Sequence, residues 1–163
     1  MKKLIITMLL IVPMALSAQK FGHINTQELF TQMPEMAKVK LKMDTIQSQY
    51  ENQLASMNEE FQKKYQDYQA QEATMADAIK QIRQQELQEM QQRIQLFYQT
   101  AEQDIQRQQQ ELLAPVHERM SKAIKAVGER ENYTYIFDSA AMVHIGNDAT
   151  DVTPAVKKEL GIK

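Results

Sequence analysis

The residues suited to chemistry are few. The chain holds three histidines, His23, His117 and His144, and no cysteine. His23 and His144 lie in β-prone runs and would be neighbours if those strands paired, but a zinc site needs three or four ligands and no third is evident. His117-Glu118-Arg119-Met120-Ser121 opens like the helix of a zinc protease, yet Ser121 stands where the second histidine must be. Ser139 has no nucleophile elbow and no evident histidine partner, so Asp138-Ser139 reads as a turn at a strand end. Asn132-Tyr133-Thr134 matches a glycosylation sequon formally and is read as chance. There is no glycine-rich phosphate loop. The expectation is a protein that is not an enzyme, with no catalytic residue, no metal and no cofactor.

Stepping from these residues to the segments that carry them, the N-terminus comes first. Lys2 and Lys3 precede an apolar run from Leu4 to Met14, and Ala15-Leu16-Ser17-Ala18-Gln19 follows with small residues. This is the layout of a secretory signal peptide over residues 1–18, too short for a membrane span. Cleavage after Ser17 would fit the small-x-small rule, and cleavage after Ala18 is favoured. Without Lys2 and Lys3 the chain carries 17 basic and 21 acidic residues, a net charge of −4. That balance argues against nucleic acid as a partner, which would need a basic patch. No second apolar run reaches transmembrane length. The expected location is therefore outside the inner membrane, with peripheral membrane contact compatible with this reading and a transmembrane segment not.

Residues 35–127 contain no glycine and are rich in Gln, Glu, Lys, Met and Ala, which predicts very long helices. Met36, Val39, Met43, Ile46, Tyr50, Leu54, Met57, Phe61, Tyr65 and Tyr68 follow steps of three and four. Met75, Ile79, Ile82, Met90, Ile94, Phe97, Ala101, Ile105 and Leu112 continue such a stripe. The steps Ile46 to Met57 to Tyr68 are eleven residues each, which favours a straight or slightly right-handed pair. A single stripe must face another helix. The predicted solution is an antiparallel coiled-coil hairpin over 35–111 with its tip near 72–76; an uninterrupted rod is the rival. Pro115 should kink the chain or start a new helix, making it the hinge of the arm.

The remaining segments, 19–34 and 112–163, should form a small β-containing body. Phe21–Asn25 is a candidate strand, and Asn25 or Thr26 caps a helix through Met33, with Glu28 placed for a capping box. Thr134–Asp138 and Met142–Gly146 read as two strands of a hairpin, and Thr153-Pro154 starts a last helix that Gly161 ends. Three short strands make a poor core and expose open edges, so the ends should self-associate. Phe21, Ile24, Ile136, Phe137, Val143 and Ile145 are the expected oligomer-body residues. The fold class is α+β, mainly α.

This pattern resembles the Skp/OmpH family of periplasmic chaperones. The residues that carry the resemblance are Phe21 to Phe30, Leu112-Leu113-Ala114-Pro115-Val116, Ala123 to Val127, Tyr133 to Asp138, and Asp151-Val152-Thr153 followed by a helix with Val156 and Leu160. Their order and spacing, more than any one motif, make the match. The resemblance implies a homotrimer with a central β-barrel body, from which helical hairpins enclose a cavity that holds unfolded outer-membrane proteins without ATP. Two departures stand out. The best-known member is strongly basic whereas this chain is mildly acidic, and Asn132 stands where the family often has glycine before the tyrosine.

The functional expectation is thus an ATP-independent holdase that binds unfolded outer-membrane proteins; the alternative is a structural coiled-coil spacer or adaptor of the cell envelope. Met36, Met43, Met57, Met75 and Met90 suit either a seam or an adaptable surface. Leu96-Phe97-Tyr98 is more telling, because three consecutive large side chains span about 200° of a helix and one seam cannot bury them all. Tyr50, Tyr65, Tyr68, Leu96, Phe97 and Tyr98 are the expected client contacts. Thirteen glutamines among residues 81–110 give the arm a solvated amide face.

Overall fold

The computed structural model describes residues 19–162. The expected signal peptide lies outside them. In chain order the elements are β1 (Phe21–Ile24), α1 (Thr26–Gln32), α2 (Pro34–Gln71), a 3-10 turn (Glu72–Thr74), α3 (Asp77–Arg130), β2 (Tyr135–Asp138), a second 3-10 turn (Ser139–Ala141), β3 (Thr150–Asp151) and α4 (Thr153–Leu160). The protein is mainly α-helical with one small sheet. The described residues divide into two compact units, one of 19–29 together with 121–162, the other Phe30–Met120.

The first unit is built around β1. The strand order is β2-β1-β3 and both pairings are parallel, with Phe21 opposite Tyr135, His23 opposite Phe137, and Gly22–His23 opposite Thr150–Asp151. Ladder bonds extend past the strands, from Thr134 N–H to the Lys20 carbonyl (2.8 Å) and from Val152 N–H to the His23 carbonyl (2.9 Å). Beneath the sheet Ile24, Leu29, Val127, Val152 and Val156 are almost free of solvent, with Ala123 and Leu160 beside them. Gly22 is compulsory here. A Cβ on it would lie 2.8 Å from Val152 Cγ1 and 3.0 Å from the Tyr133 ring, and Val152 is itself sealed in.

The helix ends of this unit follow their side chains. Asn25 Oδ1 accepts from Glu28 N–H at 2.9 Å, so Asn25 caps α1, and the Glu28 carboxylate reaches back to its amide. α3 ends at Asn132, whose φ of 57° is left-handed; Tyr133 N–H then reaches the Gly128 carbonyl and Asn132 N–H the Glu129 carbonyl. Asn thus serves where glycine is usual, because its short polar side chain tolerates that region. Gly161 closes α4 in the same way at φ 72°. α4 begins at Thr153, one residue earlier than it would if Thr153 were its cap: Asp151 Oδ1 takes the Thr153 N–H, and the Thr153 hydroxyl accepts from Asn25 N–H.

The expected strand over Met142–Gly146 does not form. The turn after β2 is fixed by Asp138, which accepts from Ala140 N–H (3.0 Å), and by Ser139 Oγ, which donates to the Ile24 carbonyl (3.0 Å). The chain then crosses to the other edge of β1 and pairs there as β3, parallel rather than as an antiparallel hairpin. Val143 is fully exposed and Ile145 only half-buried in the connecting segment.

In the second unit α2 and α3 run antiparallel on either side of the Glu72–Thr74 turn. Cross-helix partners prove the register: Tyr50 with Asp104, Lys64 with Glu86, and Tyr68 with Gln84. The seam is thin. Val39, Tyr68, Met90, Ala101, Val116 and Met120 are buried, while Met57, Phe61, Ile94 and Phe97 are half-buried. Ile79 and Ile82, expected in the stripe, are exposed because the seam near the turn runs through Met75, Glu86 and Leu87. α3 also passes through Pro115 without ending. No new helix starts there; the missing N–H costs one helical hydrogen bond while packing at Val116 and Met120 holds the turn in place. Helical pairing consequently persists beyond Leu112, with Phe30 stacked on His117 (4.4 Å between ring centroids) and Arg119 ion-paired to Glu35.

Candidate functional site

Among the described residues, apolar side chains face outward in both units. A first set lies on the sheet. Because side chains alternate along a strand, Phe21 shares a face with Tyr135 and Phe137, and these three rings stack at centroid distances of 6.1, 6.3 and 5.9 Å. All three are exposed, between 42% and 58%, which is unusual for a contiguous aromatic cluster. Ile24 and Ile136 point the other way. Ile24 is buried in its own unit's core, and Ile136 Cδ1 sits 3.3 Å from where a Cβ on Gly128 would be. Of the six expected body residues, then, Phe21 and Phe137 lie in this patch, Ile24 and Ile136 support it from behind, and Val143 and Ile145 sit in the irregular segment. Tyr135 was missed. Its signal was period-two alternation in Tyr135-Ile136-Phe137, which puts the first and third residues on one face.

The second set lies on the helical pair. Leu96 and Tyr98 are exposed, at 63% and 53%, on either side of Phe97, which is half-buried in the seam and packs at a tilt against Tyr50 (5.9 Å). One side chain of the three turns inward and two do not, as the angular argument requires. Tyr65 is exposed and stacks on Phe61 at 6.0 Å. Tyr68 departs from the expectation. It is buried in the seam, its hydroxyl donating to Glu72 (2.9 Å) and accepting from Gln84 (2.8 Å). Burial and the Glu72 hydrogen bond together raise its phenol pKa.

Tyr50 is likewise tied into the structure. Its hydroxyl donates to Asp104 Oδ2 at 2.6 Å, and Asp104 also receives the Arg107 guanidinium, which in turn bonds Glu111 (2.7 Å). The Tyr50 bond, reinforced by Arg107, depresses the Asp104 carboxyl pKa, and the same bond raises that of Tyr50. Nearer the turn, Lys64 and then Arg83 hold Glu86 below the usual carboxylate range. These are registration contacts, not reactive ones.

Among the described residues no three His, Cys, Asp or Glu side chains are grouped to hold a metal ion. His144 lies in the segment after the second 3-10 turn, so the strand pairing that would have set it beside His23 is not formed. No helix among the described residues is long and apolar enough to cross a membrane.

A long antiparallel helical pair, together with a small parallel sheet made from both ends of the chain, defines a recognisable class. The model of the family of outer membrane proteins termed OmpH-like matches residues 20–160, and the chain belongs to that family. It is 27% identical over 144 residues to the chaperone protein Skp of Pectobacterium atrosepticum, covering 88% of this chain and 87% of that one. The chaperone protein Skp of Photorhabdus laumondii is 25% identical over 146 residues, covering 90% and 88%. The crystal structure of an OmpH-like protein from Caulobacter crescentus shares the fold, with a TM-score of 0.78 at 19% identity over 87% of this chain and 83% of that one.

Proposed function

We propose that this protein is a periplasmic chaperone that holds unfolded outer-membrane proteins without ATP and prevents their aggregation. The observation that carries the reading is Leu96 and Tyr98, with Leu41, Tyr65, Ile79 and Ile82, standing exposed on a helical pair whose remaining outward residues are mostly glutamine and charge. Large apolar side chains held outward on a polar rod suit a client with exposed apolar surface and no fixed shape. Family membership and two relatives named as chaperones support the same reading.

The working form is a trimer, with residues 19–34 and 112–163 as its body and 35–111 as the arm. The stacked rings of Phe21, Tyr135 and Phe137 are the surface that association would cover, and the exposed Met142–Gly146 segment is β-prone chain lacking a strand partner. Pro115 is the point at which an arm would flex, since one backbone bond is missing there already.

The test is aggregation of a denatured outer-membrane barrel protein mixed with the mature chain in the absence of nucleotide. Suppression at substoichiometric trimer is expected, and Leu96→Ser with Tyr98→Ser should weaken it severalfold without loss of helix signal. Unchanged aggregation at excess protein rejects the chaperone reading; capture of one folded partner in place of unfolded barrels would instead favour an envelope spacer. For assembly, Tyr135→Glu with Phe137→Glu should convert trimer to monomer by light scattering. An unchanged mass would remove the aromatic face from the interface.

A further inference from the structure

Midway along the helical pair a groove of about 370 Å³ opens over the seam. It exists because Ala101 occupies a buried seam position where Met90, further along, fills the space with a longer side chain. Leu54, Phe97 and Ile105 make its floor, and the ring of Tyr50 is pinned at its side by the Asp104 hydrogen bond. Its volume is at the low end of those that take small ligands, enough for a large apolar side chain and its neighbours.

The rim is acidic. Glu51 and Glu102 line the opening on opposite helices, and the Glu102 carboxylate raises the phenol pKa of Tyr98, also on the rim. Glu51 accepts from the Gln47 amide at 2.9 Å. Among the described residues neither carboxylate is ion-paired, in contrast to Glu35, Glu86, Glu111 and Glu131, each of which meets a lysine or arginine. The nearby cation, Arg107, is already taken by Asp104 and Glu111. The site therefore combines an apolar floor with two carboxylates that lack a counter-ion, and the exposed Tyr98 ring can seat a cation on its face.

We infer that this groove docks an extended segment of unfolded chain in which an aromatic or branched apolar side chain sits beside a lysine or arginine. The inference rests on the chaperone reading and adds a selectivity to it: a mildly acidic arm recognises clients where apolar residues are flanked by positive charge. Charge complementarity sets the preference, and shape sets the position.

The experiment uses the full mature chain and two short unstructured peptides, one with Phe flanked by lysines and its twin with glutamates in their place, titrated by calorimetry. The lysine peptide should bind about tenfold more tightly at low salt, the gap closing as salt rises. Glu51→Gln with Glu102→Gln should weaken the lysine peptide about fivefold and leave the other unchanged, the size expected for two exposed pairs. Ala101→Leu fills the groove and should weaken both peptides at least about tenfold. Equal affinity for the two peptides overturns the inference, as does unaltered binding to the double glutamine variant. Ala101→Leu shifting oligomer mass with peptide binding intact also overturns it, by assigning the groove to a second copy of the chain. If Ala101→Leu loses its helix signal, the double glutamine variant decides alone. Barrel aggregation separates the two levels: suppressed aggregation with indifferent peptides sinks only the groove, whereas failure to suppress sinks the chaperone reading.

Discussion

The terminal unit and the helical unit bury their apolar residues by different routes. In the first, Ile24, Leu29, Val127, Val152 and Val156 come from four segments separated by up to about a hundred and thirty positions and meet in one sealed cluster. In the second, burial is spread in a single file from Met33 and Val39 to Met90, Ala101 and Val116, much of it only half complete. A sealed cluster specifies itself by packing. A single file with an eleven-residue step could slide by one repeat at little loss, so register has to come from directional bonds, here Tyr50 to Asp104, Lys64 to Glu86 and Tyr68 to Gln84.

That contrast can be broken by mutation, beginning where the effect is greatest. Leu29→Ala, at a position with no exposure, should cost about 3 to 4 kcal/mol in urea unfolding, and Gly22→Ala about 2 kcal/mol through the clash with Val152. Met90→Ala, in the thinner seam, should cost about 2 kcal/mol, because neighbouring side chains can settle into the space. Equal losses at Leu29 and Met90 would erase the distinction between cluster and file. Tyr50→Phe should lower the melting temperature by less than about 2 °C while broadening the distribution of cross-helix distances between spin labels on α2 and α3. An unchanged distribution would show that the Asp104 bond does not set register.

A pH scan sharpens the comparison least but cleanly. Thr26 Oγ1 and, secondarily, Ala140 N–H donate to Asp138 and depress its pKa in the folded state. A depressed native value stabilises the fold above the unfolded carboxyl pKa of about 3.9, and that contribution fades as pH falls through the lower native value. Asp138→Asn should therefore reduce stability at pH 7 and flatten the acid limb, leaving little difference from the parent near pH 2. A steeper acid limb in the variant would contradict the assignment.

Much of this was legible from residue order. The long helices follow from the glycine-free stretch, the turn from the two stripes that flank 72–76, and the special role of Asn132 from the glycine that the resembled family often has before the tyrosine. Misreadings fell where a choice depended on partners far away in sequence. Met142–Gly146 has strand composition, but β1 offers its second edge to Thr150–Asp151 instead, so composition alone pointed to the wrong run. Tyr68 and Tyr65 looked equivalent on spacing, yet Gln84 across the seam draws one inward and leaves the other out. Ile79 and Ile82 kept helical spacing but lost the seam to Leu87 and Met90, a matter of which rows of two helices meet and not of either row alone. Leu96-Phe97-Tyr98 was decipherable because it rests on the angle per residue, which needs no partner.

The central position of β1 carries a consequence for how the chain is made. Residues 21–24 are made more than a hundred residues ahead of both neighbours they need, 135–138 and 150–151. Helical turns can wind up as they appear, whereas sheet closure must wait through more than a hundred residues of synthesis. Nascent copies thus pass through a stage with wound helices and an unpaired first strand, and the stacked face of Phe21, Tyr135 and Phe137 is assembled only after residue 137 has been made.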